Sequence, residues 1–136
     1  MQLAILMLTA LFALPPDAIQ IHHVTWNAGP PTMPKGTKIA VLEGDPKAAG
    51  IFTIRLQVPA GSRVDPHWHP RAERVTILSG EAQVGFGDEF VRKGMAAFRA
   101  GDFYVNPPES HHFVYFPQTT VLQITGEGPW ELHPLK

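Results

Sequence analysis

The chain has 136 residues, enough for one compact domain, because a domain of this size buries about two thirds of its unfolded surface. Its 11 basic and 12 acidic residues give a net charge of -1 without a basic run, so nucleic acid is not an expected partner. There is no cysteine, which excludes disulfides and sulfur-rich zinc sites and leaves nitrogen and oxygen as the possible metal ligands.

The N-terminal run MQLAILMLTALFAL is apolar and ends at two prolines. It has the length of a signal-peptide core and is too short to span a bilayer, which takes about 20 residues. No Lys or Arg precedes it, and neither Ala13 nor Ala18 ends a clean small-x-small cleavage pattern. We expect residues 1–18 to be a signal peptide, which implies a periplasmic or secreted protein without a membrane span. The alternative is an apolar segment that packs on the domain of residues 19–136 in a cytoplasmic protein.

After this segment the sequence alternates between short apolar runs and turns. Residues 26–50 are dense in turn formers and contain one predicted strand, at 38–42. In residues 52–58 apolar and polar side chains alternate, a period of two that predicts a half-buried strand. Further strands are predicted at 74–78, 82–86, 95–98, 103–105, 113–116 and 120–125. No sustained helical stripe remains, so the sequence predicts an all-β sandwich or barrel.

Three candidate metal ligands lie in the stretch GSRVDPHWHPRAERVTILSG, residues 61–80. His67 and His69 are two residues apart, so on an extended strand both imidazoles point to one face. Glu73 lies four residues further on, again an even offset, where an apolar strand begins. Imidazole and carboxylate together suit first-row transition metals, and the alternative interpretation is a solvated polar strand edge.

A fourth ligand is expected from a distant strand, and His111 and His112 are the candidates. Neighbours on a strand point to opposite faces, so only one of them can enter the site.

The spacing of the first three ligands resembles the cupin superfamily, whose first motif is G, five residues, H, one, H, three or four, E, six, G. Five residues match this motif at every position: Gly61, His67, His69, Glu73 and Gly80.

The second cupin motif is G, five residues, P, one, G, two, H, three, N. Gly101 and Pro107 set its register, and the resemblance then implies that His112 is the fourth ligand. Glu109 stands at the position of the motif glycine and Phe116 at that of the asparagine, which leaves the shape of this turn open.

Most of the chain is similar to small single-domain bacterial cupins, a group of mostly unassigned activity. The resemblance implies a jelly-roll β-barrel that forms a homodimer. It also implies one divalent transition metal ion per chain, from manganese, iron, nickel, copper, cobalt or zinc, and a small-molecule ligand or substrate.

Four protein ligands leave one or two coordination positions open on such an ion. We expect a metal-dependent enzyme of the oxygenase or oxidase type that acts on a small oxygenated or carbonyl-bearing molecule. Lewis-acid isomerase or lyase chemistry is also open. The alternative is a non-catalytic module that binds or senses a small ligand through the metal. No catalytic residue is assigned, since the only acid–base candidates are Glu109 and His111. Tyr104 and Trp130 are expected to be core or rim aromatics.

Overall fold

A computed structural model of the protein describes residues 18–19 and 21–136. The expected signal peptide therefore lies outside the described residues, except for Ala18. Within the described part of the chain there are eleven strands and no helix that could span a membrane. The strands are β1 (Asn27–Ala28), β2 (Lys38–Glu43), β3 (Gly50–Val58), β4 (Ser62–Trp68), β5 (Glu73–Ser79), β6 (Glu81–Phe86), β7 (Ala96–Arg99), β8 (Phe103–Asn106), β9 (His112–Phe116), β10 (Thr120–Gly128) and β11 (His133–Pro134).

The strands form two antiparallel sheets that face each other. One sheet has the order β1-β2-β3-β10-β5-β8, and the other has the order β11-β4-β9-β6-β7. Consecutive strands of the chain pass repeatedly from one sheet to the other, as in a jelly roll. The all-β jelly-roll barrel expected from the sequence is thus confirmed.

The core lies between the inner faces of the two sheets. In β3 the side chains of Phe52, Ile54, Leu56 and Val58 are buried, while the residues between them are half-buried. This is the alternation that predicted the strand, and each such side chain contributes roughly 1.5–3 kcal/mol on burial. The cluster continues on five further strands of the two sheets, β4, β5, β6, β9 and β10, through Val64, Val75, Ile77, Ala82, Val84, Val114, Phe116, Leu122 and Ile124.

The predicted strands are all present, and most end within one or two residues of the predicted bounds. Strand β10 continues three residues beyond the predicted end at 125. Strands β1 and β11 were not predicted, because two residues are too short to show a period. The bounds of β4 were not predicted either, because polar residues and Pro66 interrupt its alternation.

Candidate metal centre

The predicted ligands converge between the two sheets. His67 lies on β4 directly opposite His112, the first residue of β9, because these two strands pair in one sheet. His69 follows the end of β4, and Glu73 begins β5 in the other sheet. All four side chains are buried, with relative exposures of 3% for His67 and His69, 7% for Glu73 and 1% for His112.

The three imidazoles form one compact group. One ring nitrogen from each of His67, His69 and His112 lies within 4.8 Å of the others. The ring centroids are 4.2 Å apart for His67 and His112, 5.0 Å for His67 and His69, and 5.2 Å for His69 and His112. This geometry positions the three histidines to bind one metal ion.

Each imidazole of the group is oriented by a backbone carbonyl. A carbonyl oxygen can only accept, so each histidine donates its Nδ1–H, and Nε2 keeps its lone pair when the ring is neutral. The acceptors are the carbonyl oxygens of Asp65 for His67 (2.7 Å), Glu131 for His69 (2.7 Å) and Ser110 for His112 (2.9 Å). Metal-binding histidines are usually held in this way by their second nitrogen.

Glu73 is held from two sides by side-chain donors. Its Oε1 accepts a hydrogen bond from Nδ2 of Asn106 at 3.2 Å, and its Oε2 accepts one from Nε1 of Trp130 at 2.8 Å. The same Oε2 lies 3.2 Å from Nε2 of His69.

The contact between His69 and Glu73 shows that the site suits a cation. Nε2 of His69 is buried and has no hydrogen-bond partner. When the ring is neutral, a lone pair on this nitrogen faces a carboxylate oxygen, an arrangement that costs free energy unless a proton or a metal ion lies between them. Three imidazoles with a carboxylate beside them are ligands that a divalent first-row ion accepts.

Two histidines of the group, His67 and His112, are kept neutral by their surroundings. The pKa of His67 is lowered from 6.5 to about 4. Burial is the largest cause, repulsion from a protonated His112 adds to it, and the hydrogen bond to the carbonyl of Asp65 opposes the shift. Burial also lowers the pKa of His112, against the opposing effect of the carbonyl of Ser110. At neutral pH both rings can therefore offer a lone pair to a metal.

A small cavity of about 30 Å³ adjoins the imidazoles, room for about one water molecule. Beside the three histidines and Glu73, its lining is mostly apolar: Met33, Val64, Tyr104, Val114, Phe116, Leu122, Ile124, Trp130 and Leu132. Burial, and next the charge of Glu73, raise the pKa of Tyr104 well above its usual value, so its phenol stays protonated. Tyr104 therefore lines the cavity as a neutral phenol, which can donate a hydrogen bond.

The two acid–base candidates from the sequence do not line this cavity. His111 is partly exposed, and its Nδ1 donates to Oδ1 of Asp88 at 2.6 Å. Glu109 is exposed and adopts a φ of +61°, so the turn keeps the left-handed conformation that the motif glycine would favour. Its backbone N–H donates to the carbonyl of His69 at 2.8 Å, which connects the two motifs.

Three groups that support the ligands were not identified from the sequence: the indole of Trp130, the amide of Asn106 and the carbonyl of Glu131. Trp130 was expected only as a core or rim aromatic. Glu73 is separated from Trp130 by 57 residues and from Asn106 by 33, so no local spacing links them. The only sequence signal is that a buried carboxylate must find donors somewhere in the fold.

In a comparison with known protein families, residues 15–131 match the family described as ChrR Cupin-like domain. Germin-like protein 3-1 of Oryza sativa subsp. japonica is 35% identical over 82 residues, which cover 60% of this chain and 36% of the rice protein. Germin-like protein subfamily 1 member 1 of Arabidopsis thaliana is 34% identical over 80 residues, 58% of this chain and 37% of that protein. The matched region thus spans little more than a third of these relatives.

Solved structures share the fold at lower identity. The acetylacetone dioxygenase of Acinetobacter johnsonii has a TM-score of 0.65 and 19% identity, and the match covers 87% of this chain and 78% of that one. The polyketide cyclase RemF of Streptomyces resistomycificus has a TM-score of 0.67 and 19% identity, with 86% and 84% of the two chains covered. At these identities the likeness concerns the fold alone.

Proposed function

The chain belongs to the ChrR Cupin-like domain family, and on this premise we propose that it is a metal-dependent enzyme of the oxygenase or oxidase type. Its substrate would be a small oxygenated or carbonyl-bearing molecule. The observation that carries the proposal is the buried group of His67, His69 and His112, with each Nδ1 engaged and each Nε2 available.

We assign Glu73 as the fourth ligand. Its Oε2 lies 3.2 Å from Nε2 of His69, so an ion held by that nitrogen lies within reach of the carboxylate. Three neutral imidazoles and one carboxylate leave the bound ion a net positive charge. A divalent ion at such a site polarises an oxygen-bearing ligand and, if it is redox-active, supports reaction with dioxygen.

The remaining lining residues exclude water and position the ligand. Apolar side chains such as Val64, Val114 and Leu122 line much of the cavity and limit the water beside the ligands, which strengthens polar contacts there. The phenol of Tyr104 is the hydrogen-bond donor available to an oxygen atom of the ligand. The cavity has a volume of about 30 Å³. A substrate of more than a few atoms must therefore displace lining side chains or extend out of the cavity.

The similarity of fold to an acetylacetone dioxygenase suggests diketones as one class of substrate to test. The experiment loads metal-free protein with each candidate ion and records oxygen uptake and product formation with small phenols, diketones and hydroxy acids. We expect turnover with a redox-active ion and none with zinc, and His67→Ala serves as the inactive control. Absence of turnover with every ion and substrate class would overturn the enzymatic proposal.

A non-catalytic ligand-binding or sensing module is the second candidate. It is favoured by the cavity lining, in which the described residues include no carboxylate other than Glu73, no lysine and no fourth histidine that could transfer a proton. A small molecule that copurifies on the metal and is not consumed in air would support this candidate. Elemental analysis of protein from its native host adds a discriminating measurement, because zinc excludes the redox chemistry of the first candidate.

The protein is further proposed to work as a homodimer, as similarity to small cupins implies. Light scattering coupled to size-exclusion chromatography tests this, and a monomeric mass at micromolar concentration would contradict it.

A further inference from the structure

We propose that Trp130 is a positioning residue of the metal centre, whose indole N–H holds the carboxylate of Glu73 in the orientation that presents it to the metal. The inference rests on the proposed function and deepens it, because it says what keeps the fourth ligand in place. Trp130 itself need not touch the metal or its substrate.

The carboxylate of Glu73 is fixed by donors on both of its oxygens. Nε1 of Trp130 donates to Oε2 at 2.8 Å, and Nδ2 of Asn106 donates to Oε1 at 3.2 Å. Glu73 is buried, so rotation of the carboxylate would break both bonds without water to replace them. The two donors together turn Oε2 toward Nε2 of His69, at 3.2 Å.

Trp130 also contacts the histidine that Glu73 faces. Its ring is stacked on that of His69, with centroids 6.4 Å apart and an angle of 14° between the planes. The next residue, Glu131, accepts the Nδ1–H of His69 through its carbonyl oxygen at 2.7 Å. Two consecutive residues near the C-terminus therefore orient two neighbouring members of the proposed ligand set.

The position of Trp130 is itself fixed by other parts of the barrel. Its backbone N–H donates to the carbonyl of Pro46 at 2.6 Å, and its ring packs on Phe52, with centroids 6.4 Å apart. Just beyond it, β11 pairs with β4, where Pro134 lies opposite His67. The indole is thus attached to the scaffold on both sides, as a positioning group must be.

Loss of a group that orients a metal ligand typically weakens metal binding about 10- to 100-fold. Trp130→Phe removes the N–H donor but keeps an aromatic ring against His69 and Phe52. Trp68→Phe is the matched control, because Trp68 stacks on His133 at a centroid distance of 4.3 Å and does not line the cavity. It removes an indole of the same size outside the centre.

The test titrates metal-free protein with Co²⁺ and records both the dissociation constant and the visible absorption spectrum, which reports the number and type of ligands. We expect Trp130→Phe to bind Co²⁺ about 10- to 100-fold more weakly, with a spectrum shifted toward that of Glu73→Ala. Trp68→Phe should match the wild-type protein in both measurements. An unchanged affinity and spectrum in Trp130→Phe would overturn the inference.

A second measurement does not depend on the folding of Trp130→Phe. The chain has three tryptophans, so NMR of the metal-free protein shows at most three indole N–H signals. We expect one signal to be shifted downfield and slow to exchange with water, and to lose both properties in Glu73→Ala. If Glu73→Ala changes none of the three signals, Trp130 does not hold Glu73 and the inference fails.

The outcomes separate this inference from the proposed function. If the wild-type protein binds Co²⁺ and Trp130→Phe binds it with the same affinity and spectrum, only the proposed role of Trp130 is overturned. Unaltered affinity and spectrum in Glu73→Ala would show that Glu73 is not a ligand, which overturns the inference but leaves the three histidines. Failure of the wild-type protein to bind any divalent ion would overturn both.

Discussion

The backbone N–H of Glu109 donates a hydrogen bond to the carbonyl oxygen of His69 across 2.8 Å, and Glu109 does so with a φ of +61°. The turn that precedes His112 is thereby attached to the segment that carries His69. The contact requires a left-handed backbone, which costs an L-residue roughly 1–2 kcal/mol and costs glycine almost nothing.

We therefore predict that Glu109→Gly stabilises the protein. Glycine removes the cost of the left-handed conformation, roughly 1–2 kcal/mol, but it also adds entropy to the unfolded chain, which costs about 0.4–1 kcal/mol. The first effect is the larger, so the free energy of unfolding should rise by about 0.5–1 kcal/mol. Urea denaturation of the metal-free protein measures it. Glu89→Gly is the control at an exposed position without a positive φ, and it should lower stability. A less stable Glu109→Gly would contradict the prediction.

We predict that His112→Ala loses metal and that His111→Ala does not. His112 is 1% exposed and belongs to the imidazole group, whereas His111 is partly exposed and paired with Asp88. Loss of a ligand should weaken binding by more than the roughly 10- to 100-fold cost of losing a supporting contact.

Elemental analysis after dialysis measures metal content for both variants, and circular dichroism checks that each is folded. If His112→Ala retains metal and His111→Ala loses it, the ligand of the second motif is His111 and its assignment to His112 is wrong.

We predict that the melting temperature of the metal-free protein falls as the pH drops from about 6.5 to about 4. His67 has a folded-state pKa of about 4 against 6.5 in the unfolded chain, mainly because it is buried. Between these values the unfolded state binds more protons, so stability is fully present above pH 6.5 and is lost progressively below it. Calorimetry at constant ionic strength measures the slope.

His67→Asn is the matched control for this pH dependence, because the amide keeps a donor for the carbonyl of Asp65 but does not titrate. Its melting temperature should vary less between pH 6.5 and 5, a range in which most carboxylates stay ionised. Equal slopes in the wild-type protein and His67→Asn would show that His67 does not control acid stability.

Much of the fold could be predicted because its signals are local. The alternation of residues 52–58 predicted β3, and the even spacing of His67 and His69 predicted two imidazoles on one face, which the structure confirms. The supporting contacts could not be predicted, because Trp130 and Asn106 reach Glu73 only after distant strands have paired. The backbone conformation of Glu109 could not be predicted for a different reason, because the identity of a side chain favours a left-handed turn but does not dictate it.

Finally, we predict that metal stabilises the protein through the imidazole group and no other site. An ion that binds only the folded state at 100 times its dissociation constant adds about 2.7 kcal/mol, and a chelator should remove this gain. Thermal unfolding with and without metal measures it.

The surface pair of His111 and Asp88 is the competing explanation for any metal effect. His112→Ala keeps that pair and disrupts the buried group, so a gain equal to that of the wild-type protein would place the bound ion outside the buried group.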